Sequence, residues 1–248
     1  MTGDDVLEVL DAAAAAVRRA LDGLADWGPA GTRPGQYRSD LVADEAALAV
    51  LGDAGMGVLS EESGLTDAGR DVLVVLDPVD GSTNASRGLP WFATSLCALD
   101  EDGPLAAVVV NQATGEHFSA VRGGGARRNR APTATSGCRE WSRSLVALNG
   151  TPDGPQGWRQ SRILGAVALD LCAVACGHID AYLDFSRGAH GPWDYLGGML
   201  VCREAGGAVA DAGGRELVSR HPDARRAPVA GATAELLDAA LAVRRRHR

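Results

Sequence analysis

Two aspartates separated by two residues, Asp77 and Asp80, follow an apolar run and have the types and spacing that metal binding requires. The run over residues 73–76 is rich in Val and Leu, which predicts a strand buried on both faces. Pro78 fixes its own φ and favours an extended Asp77, so the strand should end with both acids in a defined turn. Carboxylates in such a turn can bind hard divalent cations. They can also do no more than shape the turn, as Asp-Pro and Asp-Gly pairs often do.

The four residues after the second aspartate, Gly81-Ser82-Thr83-Asn84, are small and suit a tight turn that leads into a helix. The free N–H groups of a helix start can bind an anion such as phosphate. A strand end with two acids, followed by a helix start, therefore predicts a magnesium-dependent phosphatase.

A further acidic strand end lies upstream of this one. Residues 56–60 predict a short strand that ends at Glu61-Glu62. Adjacent acids after an apolar run are usually surface charges, but ligands in open sheets gather at the carboxyl ends of strands. Glu61, Asp77 and Asp80 together would form a strongly negative pocket, which costs stability unless cations occupy it.

Asp44 and Asp194 each lie near the start of a predicted helix. Asp44 lies in the first turn of a helix over residues 40–51, and Asp194 precedes a helix over residues 195–205. Either acid could serve only to stabilise a helix N-terminus. Asp44 could instead be an outer-sphere partner of a metal ion.

Composition limits the classes of protein to which the chain can belong. Its 248 residues fit one large α/β domain or two tightly joined halves. The net charge of -8 argues against a non-specific nucleic-acid binder, which would carry a basic face. Five cysteines without a CxxC motif predict free thiols in a reducing cytosol, with Cys97, Cys172 and Cys202 buried. No apolar run has the length of a membrane span.

The remaining elements alternate between helices and strands. Apolar residues at helical spacing predict helices at residues 4–25, within 163–177 and at 232–246. Short apolar runs bounded by turn residues predict strands at 91–99, 105–110, 115–121, 144–148, 179–185, 208–210 and 228–230. The first three of these strands should form an antiparallel meander. Gly123-Gly124-Gly125 and the arginines behind it predict a loop, and the Gly197-Gly198 pair within a helix predicts close backbone packing.

Three ordered segments resemble the inositol monophosphatase family, and the resemblance covers nearly the whole chain. Ser60-Glu61-Glu62-Ser63 resembles the family's Gly-Glu-Glu segment. Residues 76–84 resemble its Asp-Pro-Ile-Asp-Gly-Thr-x-Asn signature. Trp193-Asp194 and Glu204-Ala205-Gly206-Gly207 resemble its C-terminal Trp-Asp and Glu-Ala-Gly-Gly motifs.

The resemblance implies an α/β fold of the αβαβα layered type, formed as one domain over residues 1–248. The N-terminal half, about residues 1–140, would supply most metal ligands, and the C-terminal half, about 141–248, would supply Asp194. The implied reaction is hydrolysis of inositol-1-phosphate, or a similar small polyol or sugar phosphate, with two or three Mg²⁺ ions. Family members are commonly homodimers and are often inhibited by Li⁺. We expect a cytoplasmic homodimer without a nucleic-acid or membrane partner.

The resemblance also assigns roles to individual residues. Metal would be bound by the backbone carbonyl of Val79 and by the carboxylates of Glu61, Asp77, Asp80 and Asp194. Asp44 would hold a further ion through water. Ser82 and Glu61 would orient and deprotonate the attacking water. Contacts to the phosphate or the alcohol of the substrate would come from Gly81, Ser82, Thr83, Gly165 and Asp184.

The chain departs from the family pattern at several points. Ser82 replaces the usual Thr, so it keeps the hydroxyl and loses the methyl group that fixes its rotamer. The connection over residues 148–162 is shorter than in the family, and a few residues are inserted between Asp184 and Trp193. These departures leave open a histidinol-phosphate, fructose-bisphosphate or nucleotide-bisphosphate phosphatase on the same scaffold. A non-catalytic metal-binding relative is a further alternative.

Overall fold

The computed structural model describes residues 1–186 and 190–247, which contain two β-sheets and six α-helices. The helices are α1 (Gly3–Asp22), α2 (Arg38–Asp53), α3 (Ser82–Ser86), α4 (Val167–Ala175), α5 (Pro192–Glu204) and α6 (Ala234–Arg245). The strands are β1 (Gly57–Ser60), β2 (Gly64–Thr66), β3 (Leu73–Asp80), β4 (Ala93–Asp100), β5 (Gly103–Asn111), β6 (His117–Val121), β7 (Gly125–Arg128), β8 (Ala131–Pro132), β9 (Leu145–Asn149), β10 (Gln160–Arg162), β11 (Ala181–Asp184), β12 (Ala208–Asp211) and β13 (Pro228–Gly231). The larger sheet has the order β2-β1-β3-β4-β5-β6-β7-β8, and the smaller sheet has the order β10-β9-β11-β13-β12.

The elements stack in five layers, and each interface between layers is apolar. Helices α1 and α2 cover one face of the larger sheet, where Leu10 and Val17 pack with Val74 and Val108. The opposite face packs on α4 and α5, and the smaller sheet covers these helices from the far side. Helix α6 covers the outer face of the smaller sheet. The order of layers is therefore αβαβα, which confirms the predicted fold class.

A β-bulge at the end of β3 decides where its two aspartates point. Asp77 pairs with Ser95 and Asp80 with Ala93, so β3 advances three residues while β4 advances two. In a regular strand, residues three apart point to opposite faces, but one extra residue brings both acids to the same face. Val79 accordingly packs in the apolar layer beneath α1 and α2, on the face opposite to the aspartates.

Most predicted elements are confirmed within a few residues, including the antiparallel meander of β4, β5 and β6. The loop predicted after Gly123 is wrong, because residues 125–132 form β7 and β8 at the edge of the larger sheet. The cause is tertiary: the carboxylate of Glu204, at the end of α5, accepts hydrogen bonds from the N–H groups of Gly123 and Gly125. The insertion predicted between Asp184 and Trp193 includes residues 187–189, which lie outside the described residues.

The five cysteines are free, and Cys97, Cys172 and Cys202 are buried, as predicted. Within the residues described, none of the helices combines the length and apolar character that crossing a bilayer demands.

The glycine pair in α5 allows this helix to approach both of its neighbours closely, as predicted. A Cβ atom on Gly197 would lie 2.6 Å from Ser95 Oγ in β4. One on Gly198 would lie 2.7 Å from the carbonyl oxygen of Ala168 and 2.8 Å from Leu171 Cβ in α4. Real Cβ contacts are longer, so the two glycines set the spacing of the central helix layer.

We expect Gly198→Ala to destabilise the protein by about 2 kcal/mol, because the added methyl group overpacks the α4–α5 contact. The matched control is Gly52→Ala in α2, where nothing lies within 4 Å of the new Cβ. This control should stabilise the protein by about 0.5 to 1 kcal/mol, since alanine is the better helix former. Chemical denaturation of both variants measures the difference. Equal effects of the two substitutions would contradict the packing explanation.

Candidate active site

Carboxylates from three separated segments meet at one end of the larger sheet. Glu61 follows β1, Asp77 lies in β3, and Asp194 lies in the first turn of α5. One oxygen from each of these three side chains lies within 4.8 Å of the other two. Strands β1 and β3 run parallel, so their carboxyl ends deliver the first two acids to the same edge.

Asp80 lies beside this group and has a different contact. Its Oδ2 accepts a hydrogen bond of 2.7 Å from the N–H of Ala168, in the first turn of α4. A carboxylate near a helix N-terminus is stabilised by the helix dipole. Asp80 therefore ties β3 to α4 while its charge remains close to that of Asp194, which contributes to the raised pKa of Asp80.

The electrostatics of the cluster are unfavourable without a cation. Burial and the charges of Glu61 and Asp80 raise the pKa of Asp77 well above its ordinary value. Burial and the charge of Asp194 raise the pKa of Glu61 to about 8. Among the described residues, no arginine forms an ion pair with these acids. Converging carboxylates that repel one another and have no arginine partner fit a divalent metal ion.

The nearest arginine is instead paired with the neighbouring glutamate. Arg33 Nη2 lies 2.6 Å from Glu62 Oε2, and Gln36 Nε2 donates to the same oxygen. The sequence could not distinguish this structural role of Glu62 from a surface charge. Because Arg33 is paired with Glu62, its charge offsets only part of the rise in the Glu61 pKa, which burial and the neighbouring acids outweigh.

His190 is a residue of the site that sequence reasoning missed. Its Nδ1 lies 3.2 Å from Asp194 Oδ2, and Asn149 Nδ2 lies 2.9 Å from its Nε2. Asn149 can only donate through that nitrogen, so Nε2 accepts and Nδ1–H donates to Asp194. Asp194 Oδ2 also accepts from the N–H of Gly191, at 2.8 Å. These two bonds fix the orientation of the Asp194 carboxylate, and no sequence motif signalled the histidine.

A cavity of about 380 Å³ reaches the cluster at Glu61, whereas Asp77, Asp80 and Asp194 are not among the residues that line it. The residues that line it are Arg33, Pro34, Gly35, Gln36, Asp40, Glu61, Glu62, Ser82, Trp193 and Arg225. Ser82 and Glu61, two residues predicted to act on the attacking water, thus share one cavity.

Asp40, which the sequence reasoning did not single out, lines this cavity, whereas Asp44 does not. Asp40 Oδ2 accepts a 2.8 Å hydrogen bond from the N–H of Tyr37, and burial raises the pKa of Asp40 to about 6. Asp44 lies one helical turn further into α2, is as buried as Asp40 (6% against 4% exposed) and accepts a hydrogen bond from Ser60 Oγ. Both are acids near the helix start, so spacing alone could not tell which one faces the cavity.

The start of α3 has the geometry of a sharp turn. Gly81 caps this helix with a φ of +86°, a left-handed conformation that favours glycine. Asn84 Nδ2 donates to the carbonyl oxygens of Trp91 and Leu164, each at 2.8 Å, which ties α3 to the segment before α4. Gly165 in that segment lies against Gly81. The N–H groups of residues 82 and 83 lie in the first turn, where a helix leaves its donors unpaired.

Two other predicted site residues have internal partners. Val79 donates its N–H to Asp77 Oδ1 at 3.0 Å, which holds the turn between the two aspartates. Asp184 is fully buried and accepts hydrogen bonds from Asn149 Nδ2 and from the N–H of Ser186, at 3.0 and 2.7 Å. The structure therefore places the Asp184 carboxylate in the network around His190, and it is not among the residues that line the cavity.

Comparison with known proteins agrees with this geometry. A sequence model described as the inositol monophosphatase family matches residues 43–247. The chain is 34% identical over 189 residues to the fructose-1,6-bisphosphatase/inositol-1-monophosphatase of Archaeoglobus fulgidus, which covers 75% of this chain and 73% of that protein. It is 33% identical over 205 residues to the Nus factor SuhB of Escherichia coli strain K12, covering 73% and 75%.

Solved structures share the fold over almost the full length of the chain. The inositol monophosphatase from Anabaena (Nostoc) sp. PCC 7120 is similar with a TM-score of 0.81 and 27% sequence identity, covering 98% of this chain and 96% of that one. The family match extends across the acidic cluster, the α3 turn and α5. The chain therefore belongs to the inositol monophosphatase family and is a phosphomonoester hydrolase.

Proposed function

We propose that the protein hydrolyses inositol-1-phosphate, or a similar small polyol or sugar phosphate, with Mg²⁺ as its metal. The observation that carries this proposal is the convergence of Glu61, Asp77 and Asp194, with oxygens within 4.8 Å of one another. Oxygen-only ligand sets suit Mg²⁺. Asp80 and the carbonyl of Val79 would complete the ligands.

Different groups around the cluster would have different roles in phosphate hydrolysis. Bound divalent cations would offset the charge of the phosphate and lower the pKa of a water molecule. The N–H groups at the start of α3, from Gly81 to Thr83, would bind the phosphate oxygens. Ser82 and Glu61 would orient the attacking water and accept its proton. The hydrogen bond from His190 would keep the Asp194 carboxylate directed towards the oxygen atom of the leaving alcohol.

We assign to Asp40 the supporting role that the sequence suggested for Asp44. Asp40→Asn should lower kcat/KM by about 10²-fold, because the carboxylate that would hold a further metal ion through water is lost. The matched control, Asp44→Asn, should change kcat/KM less than threefold and destabilise the fold by about 1 kcal/mol. Steady-state kinetics and denaturation measure both. A large kinetic loss in Asp44→Asn alone would return the role to Asp44.

A panel of phosphate esters, ranked by kcat/KM with Mg²⁺, tests the substrate. The panel contains inositol-1-phosphate, fructose 1,6-bisphosphate, histidinol phosphate and a nucleotide bisphosphate. A preference for the first ester supports the proposal. A preference of at least tenfold for another would replace the substrate and leave the mechanism unchanged. Failure to hydrolyse every ester, with intact Mg²⁺ binding, would indicate the non-catalytic alternative.

The homodimer is part of the same proposal and is checked by size-exclusion chromatography with light scattering. The expected cytoplasmic location is checked by fractionation of the cells that produce the protein.

A further inference from the structure

The cavity next to the acidic cluster contains one arginine that has no acidic partner. Arg225 is exposed and lines the cavity together with Glu61, Ser82 and Trp193. Its guanidinium carbon lies 5.3 Å from the centroid of the Trp193 ring, a cation–π contact. Among the described residues, no carboxylate forms an ion pair with it. Arg33, the other arginine of the cavity, is already paired with Glu62.

The guanidinium of Arg225 is held in place by the backbone around it. Its Nη1 donates to the carbonyl oxygens of Pro222 and Ala224, each at 2.8 Å. These bonds and the Trp193 ring reduce the freedom of a side chain that would otherwise move on the surface. The Nε and Nη2 donors have no acceptor among the described residues. A fixed guanidinium with free donors suits recognition of a carboxylate or phosphate group.

Arg225 also lies on a particular side of the site. Its contact residue, Trp193, directly precedes Asp194, whose carboxylate faces the departing alcohol in the proposed mechanism. In the proposed mechanism, the phosphate that reacts would be bound by Ser82 and the start of α3, in another part of the same cavity. An anion near Arg225 would therefore belong to the alcohol part of the substrate.

We propose that Arg225 binds a second anionic group, a phosphate or a carboxylate, on the alcohol part of the substrate. This inference rests on the proposed phosphatase function and specifies its substrate class. An ester whose alcohol part carries a negative charge gains a charge-assisted hydrogen bond that the phosphate ester of an uncharged polyol cannot form there. The protein has a net charge of -8, so a local cation is needed to offset the repulsion of a substrate that carries two anionic groups.

Two matched pairs of esters test the proposal and distinguish the two anions. Fructose 1,6-bisphosphate and fructose 1-phosphate differ by a phosphate, and 2-phosphoglycerate and glycerol 2-phosphate differ by a carboxylate. In excess Mg²⁺, we expect the member with the second anionic group to have the higher kcat/KM in at least one pair. The pair that shows the preference identifies the anion.

Substitution of the arginine should remove that preference selectively. Arg225→Gln should lower kcat/KM about tenfold for the ester whose alcohol part carries the second anion and change it less than twofold for the ester whose alcohol part is uncharged. Arg225→Lys should retain part of the preference, and Arg127→Gln, at an exposed position of β7, should leave kcat/KM for both esters unchanged. The thermal midpoints of all variants check folding.

The possible failures are distinct. Equal losses on both members of a pair would show that Arg225 only supports Trp193 and Asp194, which would overturn the inference. No loss on either member would overturn it as well. Absence of hydrolysis of all four esters by the unmodified protein would reject the phosphatase proposal itself, together with the inference that depends on it.

Discussion

Replacing Asp77 with asparagine should lower kcat/KM by about 10³-fold or more while the fold is retained. Asp77 is the buried member of the three converging acids, and in the proposed mechanism its charge contributes to the metal binding on which transition-state stabilisation depends. Loss of about 4 kcal/mol of this stabilisation corresponds to about 10³-fold in rate. The metal-free variant should be at least as stable as the unmodified protein, because one of several mutually repelling acids has been neutralised.

The control for this prediction is Asp71→Asn, just before β3, where the side chain is exposed. It should leave both activity and Mg²⁺ response unchanged. The measurements are steady-state kinetics on the best ester of the panel, and thermal unfolding with EDTA and with Mg²⁺. Near-normal Mg²⁺-dependent activity in Asp77→Asn would falsify the assignment of the metal site.

Removal of metal should make stability depend strongly on pH. The pKa of Glu61 is raised from an ordinary 4.5 to about 8 in the folded protein. Between these values the folded protein holds a proton that the unfolded chain has lost, so stability decreases as pH rises from about 5 to 8. Glu61 is partly exposed, so we expect a loss of about 2 kcal/mol, or roughly 5 °C in the unfolding midpoint.

Added Mg²⁺ should reverse this trend. Metal ligation requires deprotonated carboxylates, so the stabilisation by Mg²⁺ should grow from pH 5 to pH 8. At about 100 times its Kd, Mg²⁺ would contribute about 2.7 kcal/mol. Thermal scans across this pH range, with EDTA and with Mg²⁺, measure both effects. The control is Glu61→Gln, whose metal-free form should show a flatter pH profile. A metal-free protein that becomes more stable towards pH 8 would contradict the prediction.

The strand that ends in Asp77 and Asp80 is predicted from local, strong signals, whereas the αβαβα layering is predicted only from the resemblance to the family. The apolar run before Asp77 and the Pro78 turn mark the end of a buried strand, whatever surrounds it. Glu61 is joined to that strand end by the rule that ligands gather at the carboxyl ends of strands, whereas Asp194 is joined to it only by the motifs that resemble the family. Composition and periodicity alone left both as possible surface or helix-start charges.

Other features could not be predicted because they depend on tertiary contacts. Asp40 and Asp44 are both acids in the first two turns of one helix, and only the packing of α2 decides which side chain lines the cavity. The ring of His190 is oriented by Asn149, which lies at the end of β9 and 41 residues away in sequence. Strand β7 forms because Glu204, far away in sequence, binds the preceding turn.

The bulge in β3 has a consequence for how this site can change during evolution. A point substitution between residues 77 and 80 alters one side chain and leaves the number of backbone steps intact. Loss or gain of a single codon there would send Asp80 to the opposite side of the sheet, towards the layer of α1 and α2. No compensating substitution at the same position could restore the ligand. The length of this short segment is therefore under a stricter constraint than its composition.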